Sequence, residues 1–234
     1  MQAEGPALSG AEMAVAYFSG GTGGDFYEFV RVSPHRMLFG LMDVAGKRKD
    51  NQGICSATQS VFCSGAIELL GGTDVNESEA MIELAHRMNT AIMKTAGGVC
   101  SSSVFIGCYN EEIGTVCYVN AGHTPGLLRD DHSIEELPAT SLPLGLFSLA
   151  PVDARTVGLG PQSAMVIISR GVVEAENRGD EFGLAGVQGI LNTDSGSARE
   201  LTKRIMEGVR DFVHIIPTHN DVTALAITRG YSGN

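Results

Sequence analysis

Two short apolar runs, each with an aspartate at its outer end, constrain this chain more than any other stretch of it. Phe26, Phe29, Val30 and Val32 are followed, across Pro34, by Met37, Leu38, Phe39, Leu41 and Met42. Runs of this length, rich in aromatic and branched residues and split by a turn former, predict two paired strands. Asp25 opens the first run directly after Gly24, and Asp43 closes the second just before Val44-Ala45-Gly46. A hairpin therefore brings both carboxylates to one rim. Neighbouring carboxylates repel each other unless a cation or a shared proton compensates. That points to an all-oxygen site for a hard ion, Mg²⁺ or Mn²⁺. Asp beside Gly is also ordinary turn chemistry, and these residues alone leave both readings open.

Around this hairpin the chain reads in order as follows. Residues 1–11 are small and polar enough for a tail or linker, and Glu12 to Phe18 reads as a first strand. The glycine loop from Ser19 to Gly24 lacks the Lys-Ser/Thr ending of a phosphate loop and the spacing of a dinucleotide fingerprint. Lys47 to Gly53 has the composition of a flexible charged loop, and Ile54 to Leu70 has helix-like length. Asn76, with Glu79 three residues on, predicts a capped helix whose apolar stripe is Met81, Leu84, Ala85, Met88 and Ile92, ending at Gly97-Gly98. Strands are predicted at 103–109, 115–120, 126–128, 134–137, 152–159 and 164–169, with a hairpin loop over 110–114. Ser197 and Glu200 form a second capping box ahead of Leu201, Ile205, Val209 and Phe212, and 222–228 is a closing strand. Strands, two helices, antiparallel strands, further helices and a last strand argue α+β, with helices outside stacked sheets.

Composition narrows the function classes. The 234 residues are 43% hydrophobic and only 18% charged, enough for a substantial core in one domain over 12–234. A net charge of −11 disfavours nucleic acid and anionic membrane surfaces as partners. No apolar run approaches the roughly 20 residues that span a bilayer, and no signal peptide is visible, so a cytoplasmic protein is expected. Cys55, Cys63, Cys100, Cys108 and Cys117 lack Cys-x-x-Cys spacing and lie among apolar neighbours, which predicts reduced core residues rather than a zinc site.

Six blocks carry a family resemblance. Gly23-Gly24-Asp25-Phe26-Tyr27, Asp43-Val44-Ala45-Gly46, Asn120-Ala121-Gly122-His123-Thr124-Pro125, Pro143-Leu144-Gly145, Gly171-Val172-Val173-Glu174-Ala175 and Asp221-Val222-Thr223 resemble, in order and spacing, the metal-dependent PPM protein serine/threonine phosphatases. The likeness is to their SpoIIE-like branch, over residues 12–228. It implies a four-layer α/β/β/α sandwich of two antiparallel sheets with a two-metal site at one edge. Two Mn²⁺ or Mg²⁺ ions about 3.5–4 Å apart would activate water for attack on a phosphoserine or phosphothreonine. On the same resemblance Asp25 orients metal-bound water, Asp43 bridges both ions, Val44 offers its carbonyl, and Asp221 is a further ligand. Gly24, Gly46, Gly171 and Glu174 support the motifs, Glu174 and Asn177 position the following helix, and His123 belongs to a structural turn.

The chain also departs from that pattern. Thr-Asp-Gly is expected where Ser169-Arg170-Gly171 stands, and Asp-Asp where Asn220-Asp221 stands; Gly-His-Gly is replaced by Gly46-Lys47-Arg48, and a Gly-Asp turn by Gln162-Ser163. Exchanging a ligand Asp for Arg170 replaces an anionic oxygen donor with a permanent cation, a swing of two charge units beside a dication. Asn220 keeps one neutral oxygen and loses a charge. The expectation is a weak or inactive pseudophosphatase in which Arg170 stands where a metal stood. The alternative is an active Mn/Mg-dependent enzyme working with one ion. By analogy the partner is a phosphorylated STAS-type anti-anti-sigma protein of a bacterial partner-switching pathway, and a homodimer is a third possibility.

Overall fold

A computed structural model of the chain describes residues 2–5, 8–20, 24–44, 48–131, 133–193, 196–213 and 220–230. The architecture is mixed α+β, with two large antiparallel sheets, each flanked by helices, in two compact units that the chain visits alternately. Elements are numbered along the chain.

The unit comprising Gly24–His123 and Pro138–Gly158 contains the predicted hairpin, β3 (Asp25–Ser33) and β4 (Arg36–Val44). Its sheet continues through β5 (Ser102–Asn110), β6 (Thr115–Ala121) and β9 (Arg155–Gly158), in the order β3-β4-β5-β6-β9. Helices α1 (Arg48–Leu70) and α2 (Glu77–Ala96) join Phe62, Leu84, Met88 and Ile92 to Leu38, Met42, Val104 and Ile106 in one apolar cluster. Residues of β4 on the other side, Met37, Phe39 and Leu41, are buried as well. That is why the strand is a continuous apolar run rather than an alternating one. Both ends of α2 follow the sequence signals. The Glu79 N–H donates to Asn76 Oδ1 at 3.3 Å, and Gly97 closes the helix with φ +66.

The other unit comprises Met1–Gly23, Thr124–Leu137 and Leu159–Asn234. Its sheet runs β1 (Gln2–Glu4), β2 (Ala11–Phe18), β13 (Val222–Arg229), β10 (Ala164–Ile168), β7 (Gly126–Arg129) and β8 (Ile134–Leu137). The first long strand thus pairs with the last, Ala11 opposite Arg229 and Phe18 opposite Val222. Helices α4 (Gly183–Thr193) and α5 (Ala198–Val213) bring Val187, Leu191, Leu201, Ile205 and Val209 into a cluster with Val166, Ile168, Ala224 and Ala226. A four-residue helix α3 (Arg170–Val173) and a two-strand hairpin, β11 (Glu176–Asn177) and β12 (Asp180–Glu181), lie between β10 and α4.

Four local expectations change. Residues 2–4 are not tail: they pair with β2, Gln2 opposite Ala16, satisfying backbone groups at a sheet edge. Helix α1 starts at Arg48 rather than at Ile54, because Asn51 is buried and the covered face extends below Ile54. The 152–159 strand shortens to β9, with Val152 retained only as a bridge to Ser141. Helix α4, expected only as a helix somewhere after Asn177, takes the bounds Gly183–Thr193. Its three glycines weaken helix propensity, and Gly186 is required where a Cβ would lie 2.8 Å from the Phe182 ring.

The cysteines behave as expected of reduced residues. None of the five forms a disulfide; Cys108 and Cys117 are fully buried, and burial pushes both thiols up, holding them protonated. No helix among the described residues is long and apolar enough to cross a membrane.

Candidate functional site

The hairpin sets Asp25 directly opposite Asp43 across β3 and β4. Unbroken pairing from Asp25 opposite Asp43 to Arg31 opposite Met37 fixes that register, and both carboxylates are partly exposed at the strand ends. Like charges directly opposite on a sheet destabilise it unless neutralised. Next to them, the buried Val44 carbonyl accepts a hydrogen bond from Asn51 Nδ2 at 3.0 Å. Gly24 is needed here for close approach, since a Cβ would lie 2.9 Å from Val44 O. Asn51 is a residue that the sequence reading missed. It stands between Asp50 and Gln52 in a polar, charged segment, indistinguishable from a loop residue until the helix around it was known.

Residues 169–174 and 220–223 form a second cluster, in the other unit. Ser169 is fully buried. Its N–H donates to Thr223 O at 2.9 Å, its Oγ donates to Asp221 O at 3.2 Å, and the Thr223 N–H donates back to Ser169 Oγ at 3.0 Å. Gly171 completes the stitching, because a Cβ there would come within 2.1 Å of Asp221 O. The backbone that presents Arg170 and Asn220 is therefore firmly held on both sides.

What those two residues do differs from metal ligation. Arg170 opens α3 about half-exposed, with Nε 3.8 Å from Glu174 Oε1, while Asn220 Nδ2 donates to Glu174 Oε2 at 3.4 Å. Glu174, expected only to support the turn, receives both. Asp221 is 2% exposed, and its Oδ1 accepts the Gly20 N–H at 2.9 Å. Asn177 lies in β11, opposite Asp180. His123 is buried, and its N–H donates to Asn120 Oδ1 at 2.8 Å, the geometry of a side-chain-stabilised turn. Gly23, Gly46 and Lys47 lie outside the described residues, as does the Arg48 side chain.

The chemistry of the two clusters is unequal. Asp25, Asp43 and the Val44 carbonyl, which retains a second lone pair, make a hard-oxygen donor set of net charge −2 that suits one divalent ion. Around Arg170 the guanidinium offers no acceptor and the Asn220 amide is a donor to Glu174, a poor fit to a cation. Among the described residues, no three His, Cys, Asp or Glu side chains converge as a ready metal-binding group.

Comparison with known proteins adds the following. The protein-family model described as Stage II sporulation protein E (SpoIIE) matches residues 33–230. Among solved structures, the RsbU and RsbW domains of Rv1364c from Mycobacterium tuberculosis superpose with a TM-score of 0.77 at 18% identity, covering 99% of this chain and 63% of that one. The PP2C phosphatase domain with a fragment of the regulatory domain of SpoIIE from Bacillus subtilis gives 0.74 at 14% identity, covering 97% of this chain and 64% of that one. This chain thus spans under two thirds of either protein's length. RsbX in complex with magnesium gives 0.67 at 13% identity, covering 98% of this chain and 100% of that one. None of the curated proteins matches the chain in sequence.

Proposed function

The chain belongs to the SpoIIE family, within the PPM-type phosphatases, and on that premise we propose that it is a pseudophosphatase: a phosphatase domain that recognises a phosphoprotein and hydrolyses it weakly or not at all. One observation carries the reading. Arg170 and Asn220, at two positions where the family pattern has ligand aspartates, both turn to Glu174. A fixed cation at a ligand position repels a dication, and the neutral amide does not offset that. Asp221 is a poor substitute ligand, because its Oδ1 serves the Gly20 amide and its side chain is buried.

A second reading has its own support. Asp25 and Asp43 stand directly opposite one another as two hard-oxygen donors, and one Mn²⁺ or Mg²⁺ held by Asp25, Asp43 and the Val44 carbonyl would supply Lewis-acid chemistry to a bound phosphate. In that case Asp25 and Asp43 hold the ion and orient water, and the chain is a slow one-ion phosphoserine phosphatase. RsbX was solved with magnesium, which favours Mg²⁺ or Mn²⁺ as the ion tried. The partner that fits either reading is a phosphorylated STAS-type protein of a bacterial partner-switching pathway, in keeping with the RsbU and RsbW domains and the stressosome among the structural relatives. A single domain that takes in β1 as well as residues 12–234, a cytoplasmic setting and a homodimer go with the proposal.

The test is calorimetric titration of Mn²⁺ into chelator-treated protein, with p-nitrophenyl phosphate hydrolysis followed on the same samples. The pseudophosphatase reading expects little binding and no turnover in the natural sequence. In Arg170→Asp/Asn220→Asp it expects Mn²⁺ affinity to rise by about tenfold or more, with turnover appearing. Metal-dependent turnover in the natural chain that vanishes in Asp43→Asn would establish the one-ion enzyme instead.

A further inference from the structure

A polar cavity of about 520 Å³ opens at one end of the six-stranded sheet, beside the start of α5 and within a single unit. One cross-strand row explains the space. Arg129, Ala164, Thr228 and Glu12 stand opposite one another in turn along β7, β10, β13 and β2, so their side chains share a face. Ala164 leaves a gap between its two longer neighbours, and the glycines 10, 196 and 230 bring no side chain to the lining. The cavity lies at the far end of β13 from the Asn220–Asp221 turn, eight residues or about 25 Å away.

The polar groups of the lining are fixed in place and only partly used. Arg229 is half-buried; its Nη1 donates to Leu159 O at 2.8 Å, and no carboxylate pairs with it among the described residues. Arg129 Nη2 donates to Gln162 O at 3.1 Å, and its Nε is buried. Ser163 is 4% exposed, yet no described residue bonds its hydroxyl. A hydroxyl confined in this way is costly until something pairs with it. Ser197 Oγ accepts the Glu200 N–H at 3.2 Å and keeps its own O–H to give. Of the two acids in the lining, Glu12 is turned to α5, its Oε1 accepting the Arg199 N–H at 3.1 Å, and Asp131 is exposed to solvent.

We propose that this cavity binds a small hydroxylated oxyanion, a sugar acid or a polyol phosphate, with its anionic head on Arg229 and its hydroxyls on Ser163 and Ser197. The volume falls within the roughly 300–1,000 Å³ of sites that take whole small molecules. A guanidinium fork matches a carboxylate or a phosphate alike, so one chemistry covers both head groups. The serine hydroxyls reward a ligand that carries hydroxyls of its own over a bare anion. This site is independent of any metal chemistry at Asp25 and Asp43, which belong to the other unit.

The probes are gluconate and glycerol 3-phosphate, with inorganic phosphate and glycerol as controls for the head group alone and the hydroxyls alone. Each is titrated into the full chain in chelator by calorimetry, alongside NMR shifts of the Gly196, Ser197 and Gly230 amides. At least one probe should bind about tenfold more tightly than either control and shift those amides, and the tighter of the two names the head group. Arg229→Gln should weaken that binding by about tenfold or more. Ser163→Ala, which removes the hydroxyl without adding volume, should weaken it too, and carries the expectation alone should Arg229→Gln misfold by circular dichroism. Saturation by neither probe overturns the proposal, as does affinity unchanged in the folded variants. Phosphate or glycerol binding as tightly as the better probe overturns it as well, since the hydroxyls or the head group would then contribute nothing. Shifts confined to the surroundings of Asp25 and Asp43 would do the same, by placing the ligand in the other unit.

Discussion

Asn89 sits almost fully buried in α2, its Nδ2 donating to Phe147 O at 3.0 Å and its Oδ1 accepting the Gly145 N–H at 2.7 Å. One side chain therefore satisfies two backbone groups of the 144–147 segment. Asn89→Ala would leave both without that partner in a confined space and should cost about 1–3 kcal/mol, read as a lower urea midpoint together with lost exchange protection of the Gly145 amide. An unchanged midpoint would mean that the segment is held by its other bonds. Single residues also mark where the sequence was legible at the site. Asp25 and Asp43 could be placed at one rim because a hairpin between two apolar runs allows one simple register. Glu174 as the shared acceptor of Arg170 and Asn220 was not readable. Sequence separation says nothing about which of several polar groups an exposed cation meets.

At the scale of elements, strand β5 carries Gly107 directly opposite Phe39 of β4, and a Cβ there would fall 2.2 Å from Phe39 Cζ. The ring lies across the glycine in place of a neighbouring side chain. Gly107→Ala should therefore destabilise the domain by about 1–3 kcal/mol through overpacking, measured by chemical denaturation. Phe39→Leu, destabilising alone, should recover part of that loss in the double variant; simple additivity would show that the ring is not what the new methyl meets. Elements with strong local signals were legible. Helix α2 has its Asn76 cap, its stripe and Gly97, and α5 follows its Ser197 capping box, the Glu200 N–H donating to Ser197 Oγ at 3.2 Å. Those missed were β1, α3, β11 and β12, each too short to show a period, and the bounds of α4, whose glycines mask its helicity while Val187 and Leu191 pack inward.

For the whole molecule, the order β1-β2-β13-β10-β7-β8 puts β13 between β2 and β10. Removing an edge strand and removing a central one are thus different injuries. A chain lacking residues 1–5 should keep a cooperative thermal transition a few degrees lower. A chain ending at 221 should lose that transition and precipitate, because two strands then expose unpaired edges. A cooperative melt in the second would place the stability of this unit elsewhere, in its helices. Fold class was legible at this scale because six motif blocks in order constrain the path of nearly the whole chain. The division into two units, each assembled from separated segments, was not, since no composition change marks the crossings.

The pairing of β2 with β13 also sets a clock on synthesis. About 200 residues separate the two strands, and a ribosome adding roughly 5–20 residues per second needs about 10–40 s to deliver the second after the first. Throughout that interval the nascent chain carries the apolar Met13 to Ala16 segment without the neighbour that later covers one of its edges. Chaperones that hold bare strands act on such intermediates, and a crowd of translating neighbours competes with them. The topology of this sheet thus builds a wait into the synthesis of the domain.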